Sequence, residues 1–344
     1  MGLAGVVVLT VLAGVARYAS AVPHVVAFVI AGLALAGGAW IVSFSTEQVG
    51  QRFGPAITGL LQSTLGNLPE FFVVVFALNA GEKVVAQTAI LGSVLVNALL
   101  VLGLVIVVGA RRSPDRIMRF SPRLPNDTAT LLLIASFIIV LVGLANSAHD
   151  PASHHVQTIS IVSAVAILAV YGFWVRQYLT TEQADDKPAQ PARLSTVTSL
   201  TLLLLSGLAA AFVSDWFVHA LEPTIHSLGI SQSFAGLMIV AIAGNAIEHA
   251  VGIVLAHKGQ SELAISVVKN SVAQVAAFLF PLLVLVSLLT ATTLTFALAP
   301  VFTGALLGTA VIVWQITGDG EATAFEGAAL VVAFVILATV AAFE

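Results

Sequence analysis

An all-α integral membrane protein is the fold that this 344-residue sequence predicts, and three observations carry the prediction. Hydrophobic residues make up 59% of the chain and charged residues 9%, against about 25% charged in an ordinary soluble domain. The apolar residues gather into runs that reach the roughly 20 residues a bilayer-crossing helix needs. A polar motif inside one run recurs inside another at a fixed distance along the chain.

With polar, Pro and Gly positions as boundaries, about eleven spans follow in order: residues 3–20, 25–44, 56–79, 84–109, 127–147, 155–178, 196–218, 232–257, 262–289, 293–316 and 325–343. The first begins MGLAGVVVLTVLAG, with no positive region ahead of it and no small-residue cleavage site. It is therefore expected to stay as a span and not to be removed as a signal peptide. After the fourth span, RRSPDRIMRFSPR holds Arg111, Arg112, Arg116, Arg119 and Arg123, and such clusters stay cytoplasmic. The N-terminus is then cytoplasmic and the C-terminus external, and the segment from Arg176 through Lys187 to Arg193 is cytoplasmic. The short loops favour a prokaryotic cytoplasmic membrane. A formal net charge of −4 with no basic face gives no reason to expect nucleic acid. Without cysteine, disulfides and thiolate metal sites are excluded.

The recurring motif is LGNLPEFFVVVFAL at 65–78 and AGNAIEHAVGIVLA at 243–256. One offset of 178 residues carries Gly66, Asn67 and Glu70 onto Gly244, Asn245 and Glu248, and Ser93 onto Ser271. The third span runs outward and the eighth inward, so the halves are inverted. The chain divides into an N-terminal helix (1–22), a five-helix repeat (23–178), a cytoplasmic acidic linker (179–195) and a second, inverted five-helix repeat (196–344). Inverted repeats with helix-interrupting polar residues at matching positions are how secondary transporters place a site near the bilayer midplane.

A carboxylate at the centre of a membrane helix costs about 2.5–3.5 kcal/mol on insertion scales and usually faces a cavity or an ion path. Helical spacing puts Ser63, Asn67 and Glu70 on one face of the third span, and Ser93 and Asn97 on one face of the fourth. The eighth span offers Asn245, Glu248 and His249, and the ninth Ser271 and Gln274. Carboxylate, amide and hydroxyl oxygens suit a hard cation such as calcium, and one histidine is too few for a zinc cage. Two carboxylates are neutralised by one divalent cation or by two protons. If both loads use one site they exclude each other, which is the basis of antiport. Pro69 is expected to kink the third span and free the carbonyl of Leu65. A passive channel would share the acidic residues but has no need of inverted, proton-exchangeable sites. An intramembrane metalloenzyme is disfavoured: HExxH is absent, and the adjacent Glu248 and His249 stand about 100° apart around a helix.

These residues resemble the cation/proton exchangers of the calcium/cation antiporter superfamily. The resemblance runs from STEQVGQRFGPAITGLLQSTLGNLPE through GSVLVNALLVLGL and LEPTIHSLGISQSFAGLMIVAIAGNAIEHAVGI to AQVAAFLFPLLVLVSLL and DGEATAFEGAALVV. It implies one extra helix plus two inverted five-helix repeats and proton-driven export of calcium from the cytosol, with sodium or another monovalent ion as the alternative. It makes Glu70 and Glu248 the ion-binding and proton-exchanging groups, with Asn67, Asn245, Ser93, Asn97, Ser271 and Gln274 beside them. His249 matches the histidine that follows the second motif glutamate in proton-coupled members. No cofactor is implied; calcium and protons are the transported ions and the lipid bilayer is the partner.

The chain departs from the family pattern at Leu68-Pro69, ahead of the first glutamate, and at Lys269-Asn270-Ser271 where Gly-Ser is usual. Lys269 is a candidate modulator of the site, or a residue near the cytoplasmic end of its span whose amine reaches water. Glu47 and Glu222 precede the motif helices and are candidate ion entrances or solvated helix ends, as are Asp319, Glu321 and Glu326. Asp215 and His219 are spaced to pair. Glu182, Asp185 and Asp186 form a short acidic patch in a linker that also carries Pro188 and Pro191, and a plain solvated linker accounts for them.

Overall fold

The computed structural model describes residues 2–19, 22–50, 65–182 and 194–344. The helices, in chain order, are α1 (Leu3–Tyr18), α2 (His24–Gly50), α3 (Leu68–Asn79), α4 (Lys83–Arg112), α5 (Arg123–Ser147) and α6 (Val156–Glu182). They continue as α7 (Thr196–Leu228), α8 (residues 232–257), α9 (Ser261–Leu289), α10 (Pro300–Thr317) and α11 (Ala324–Ala342). Among the described residues, eight of these are long and apolar enough to cross a membrane, and α8 makes nine if its two limbs, bent by 66°, count as one span. α1 and α3 are shorter apolar helices. The protein is a multi-pass membrane protein. Residues 56–64 of the third predicted span, Ser63 among them, lie outside the described residues, as do Asp185 and Asp186.

Two boundaries differ from expectation for physical reasons. The seventh span continues beyond 218 through Pro223 to Leu228, and Gly229 ends it in the left-handed region at φ 63°, which glycine adopts without steric cost. The tenth begins at Pro300 and not near 293, because a proline at the first helical position lacks an N–H that would be unpaired there anyway.

Residues α2 and α7 share the most extensive helix pairing in the molecule, with Phe28 stacked on Phe217 at 4.6 Å between ring centres. α4 meets α11 where Gly103 and Gly327 face each other. A Cβ on either would come within 2.6–2.7 Å of the other's carbonyl oxygen, so both positions need glycine for the helices to touch. α4 and α9 each contain a π-helical turn just after the polar residues of the repeat, at Val96–Val101 and Val275–Leu279. Such turns are rare and often mark functional sites.

The expectation of a purely helical chain misses one element. β1 (Ile117–Arg119) pairs antiparallel with β2 (Glu321–Thr323), joining the arginine-rich loop to the start of α11. Met118 and Ala322 face each other in this pair, both buried. Arg119 lies 2.6 Å from Asp115 and 3.1 Å from Glu321, which holds the Asp115 carboxyl below its ordinary range and raises the Arg119 guanidinium. These exposed pairs add little stability. Thr323 and Glu326 form a reciprocal cap on α11, and Arg112 Nε donates to the His257 carbonyl at 2.7 Å. Glu321 and Glu326 are thus engaged in the fold itself.

A cleft of about 490 Å³ opens at the other end, lined among others by Val84, Gln87 and Leu91 of α4, Gln232 of α8, Ala299, and Phe302 of α10. Glu82, just ahead of α4, accepts a hydrogen bond from Gln232 Nε2 at 3.0 Å. Partial burial raises the Glu82 carboxyl, nearby Glu222 adds to the rise, and His226 opposes it.

Candidate ion-binding site

Both motifs interrupt their helices. Asn67 takes non-helical angles (φ −84°, ψ 6°) and α3 starts after it, with Pro69 in its first turn. This corrects the expected proline kink within a continuous span: the break falls before Pro69, which occupies a position where a missing N–H is harmless. The carbonyl of Pro69 accepts a hydrogen bond from Ser214 Oγ of α7 at 3.2 Å. The bend in α8 falls at the matching place, between Ala246 and Glu248.

The interruptions bring the motifs face to face. A Cβ on Gly66 would lie 3.5 Å from Glu248 Oε1, and one on Gly244 would lie 3.9 Å from the Cβ of Glu70. Each glutamate therefore sits against the glycine of the other motif. A small cavity beside them is lined by Ala39 and Ser43 of α2, Gly66, Gly244, Asn245 and Glu248.

The neighbouring helices supply hydroxyls and amides that cross between the halves. Asn245 Nδ2 donates to Ser93 Oγ at 2.9 Å and to the Ala241 carbonyl at 3.0 Å. Asn97 Nδ2 donates to Ser271 Oγ at 3.2 Å, and Ser271 Oγ donates to Glu248 Oε2 at 2.6 Å. Asn67, Ser93, Asn97, Asn245, Ser271 and Gln274 are all buried. Glu70 is 4% exposed, and neither of its carboxylate oxygens accepts a hydrogen bond among the described residues. Burying a carboxylate is expensive unless it is paired with a charge or hydrogen-bonded. Protonation or a bound cation meets that requirement. No group of three or more His, Asp or Glu side chains comes together among the described residues, so the oxygen set rests on two carboxylates supplemented by amides and hydroxyls.

Other predicted residues fall elsewhere. His249 follows Glu248 around the helix, and its buried Nε2 makes no hydrogen bond among the described residues. Lys269 corrects the expectation of an amine reaching water: it is 1% exposed, and its Nζ donates to Thr317 Oγ1 at 3.2 Å, at the C-terminal end of α10. Two residues from Ser271, it points to the opposite face of α9. Glu47 is half-buried near the end of α2 and Glu222 is exposed near the end of α7, and neither lines the small cavity. Asp215 and His219 form no ion pair among the described residues, contrary to their spacing. Ser43 and Ser214 join the surroundings of the site without having been expected. The 178-residue offset relates them to Leu221 and Ala36, so a search by repeat passes over them.

Residues 23–177 and 198–343 match the family described as sodium/calcium exchanger protein. The chain is 30% identical over 320 residues to the vacuolar calcium ion transporter of Schizosaccharomyces pombe, covering 90% of this chain and 77% of that one. It is 29% identical over 325 residues to the Ca(2+)/H(+) antiporter ChaA of Bacillus subtilis, covering 92% of each. The solved structure of native YfkE superposes with a TM-score of 0.82 at 26% identity, covering 99% of this chain and 98% of that chain. With both halves matched and the fold shared from end to end, the chain belongs to the sodium/calcium exchanger protein family.

Proposed function

We propose that this protein is a calcium/proton antiporter that exports calcium from the cytosol by alternating access. The observation that carries the reading is the crossed contact of the two motifs, each glutamate against the other's glycine, with Ser271 and Asn245 bridging the halves. Glu70 and Glu248 hold the calcium ion, assisted by oxygens of Asn67, Asn245, Ser93, Asn97, Ser271 and Gln274. When calcium leaves, protons on the two carboxylates remove the like-charge repulsion of the empty site. One site thus carries either load, and proton flow down its gradient drives calcium the other way. His249 is assigned to proton coupling. Glu47 and Glu222 serve the two entrances. The names of the relatives in yeast and Bacillus subtilis support the choice of calcium.

The same proposal takes the eleven helices as eleven spans: an N-terminal helix at 1–22, repeats at 23–178 and 196–344, and a linker at 179–195. The arginine loop faces the cytoplasm, so the N-terminus is inside and the C-terminus outside a cell membrane. The strand pair and the Arg112 contact support one shared side, since they gather the loops expected there.

Flux in proteoliposomes with an imposed pH gradient tests the function, with calcium, manganese, sodium and potassium assayed separately. Calcium uptake that dissipates the gradient is the expected result. Uptake that neither uses nor dissipates it would remove antiport. A response to sodium alone would move the reading to monovalent exchange.

A further inference from the structure

The repeat relates two pairs of positions that are chemically unlike. The 178-residue offset carries Val84 onto Glu262 and Leu91 onto Lys269. It also carries Ser121 onto Ala299 and Ile139 onto Thr317. In the second half these positions make polar contacts: Glu262 Oε2 accepts the Ser121 N–H at 2.7 Å, and Lys269 Nζ donates to Thr317 Oγ1 at 3.2 Å. In the first half all four equivalents are apolar, and Val84, Leu91 and Ala299 line the open cleft of about 490 Å³. α9 is held where α4 borders empty space.

Lys269 is the stronger of the two contacts. Thr317 Oγ1 also donates to the Val313 carbonyl at 2.7 Å, so the ammonium is seated on the last turn of α10. The carbonyl end of a helix attracts positive charge. In an apolar interior the alternative to that seat is an unpaired charge.

We propose that Lys269 and Glu262 are positioning residues that fix α9, and with it the Ser271 hydroxyl on Glu248, while α4 with Ser93 and Asn97 is the half that moves when the ion load changes. The inference rests on the antiport reading above. Its consequence is that the two half-sites are mechanically unequal: Glu248 belongs to a fixed wall, and the groups around Glu70 close onto it. Among the described residues, Lys269 is the only buried basic side chain, and its role here requires no change of its charge.

The absence of cysteine makes the test direct. Single cysteines at Gln87 on the cleft and at its repeat equivalent Ile265 on α9 are labelled with a water-soluble maleimide, with and without calcium, in otherwise unchanged full-length protein. The expected result is a labelling rate at position 87 that changes at least severalfold with calcium, while position 265 stays protected in both conditions. In Glu262→Val/Lys269→Leu, which gives the second half the residues of the first, position 265 should gain a calcium response of similar size. Lys269→Arg, which keeps the donor, should restore protection. A calcium response at 265 in the parent, or protection at 265 persisting in the folded double variant, overturns the proposal. Should the double variant not fold, the parent comparison of 87 with 265 still decides. Loss of proton-coupled flux in the parent would instead refute antiport, and the labelling experiment does not depend on that readout.

Discussion

Glu70 and Glu248 occupy equivalent places in the two motifs, yet their surroundings differ. Glu248 is partly exposed to the small cavity and accepts a 2.6 Å hydrogen bond from Ser271. Glu70 is more deeply buried, and no hydrogen bond reaches its oxygens among the described residues. The serines differ in the same way: Ser271 donates to a carboxylate, whereas Ser93 accepts from Asn245. The lesson is that a sequence repeat conserves the placement of a group without conserving its energetics. One carboxylate is stabilised in its charged form by its own half, and the other depends on what binds.

The largest test of this contrast is removal of either charge. Glu70→Gln and Glu248→Gln are each expected to abolish proton-driven calcium flux in proteoliposomes, a loss of at least ~100-fold, since a shared divalent site cannot be built from one carboxylate. Retained exchange in either variant would remove that residue from the site. Calcium binding by calorimetry should nonetheless separate them: Glu70→Gln, which removes an uncompensated buried charge, should be the more thermally stable of the two variants.

Next in size is the serine pair. A hydrogen bond to a charged group contributes about 1.5–3 kcal/mol, so Ser271→Ala should raise the calcium KM roughly 10-fold or more. Ser93→Ala breaks only a neutral bond worth about 1 kcal/mol and should cost a fewfold. Equal effects would mean that calcium reorganises both half-sites into the same arrangement.

Much of this was legible in the sequence. The spans were readable because a bilayer demands long apolar runs, and the motif pair because a buried Glu with Asn three residues earlier is costly enough to stand out twice. What periodicity does not reveal is which way a side chain points within a buried interface. Lys269 was read as reaching water from its place in the chain, and only its packing onto α10 shows where the amine goes. Pro69 looked like a kink because a proline within an apolar run resembles one until the preceding residue is seen to leave the helix at Asn67. The strand pair escaped notice because three residues on each side carry no alternation long enough to read.

A smaller effect contrasts the two ends of the bundle. Partial burial raises the Glu82 carboxyl above its unfolded value, so folding favours its protonated form. Its charged form therefore destabilises the fold as pH rises through the raised pKa, and below the unfolded value of about 4.3 the penalty vanishes. Glu82→Gln should accordingly raise Tm slightly at neutral pH and leave it unchanged near pH 4. A pH-independent shift would point to the Gln232 hydrogen bond in place of the charge. At the other end Asp115 is lowered by Arg119, so its contribution has the opposite sign and fades on acidification.

The π turns of α4 and α9 carry a historical implication. Such a turn holds one residue more than the α-helical turn it replaces, so it records an insertion, and the two turns begin at Val96 and Val275, within one residue of the 178-residue offset. An insertion present in both halves is older than the doubling that produced them. Deleting a single residue from either turn would rotate everything beyond it by about 100°, carrying Gly103 off its contact with Gly327 in one half while leaving the polar residues before the turn in register.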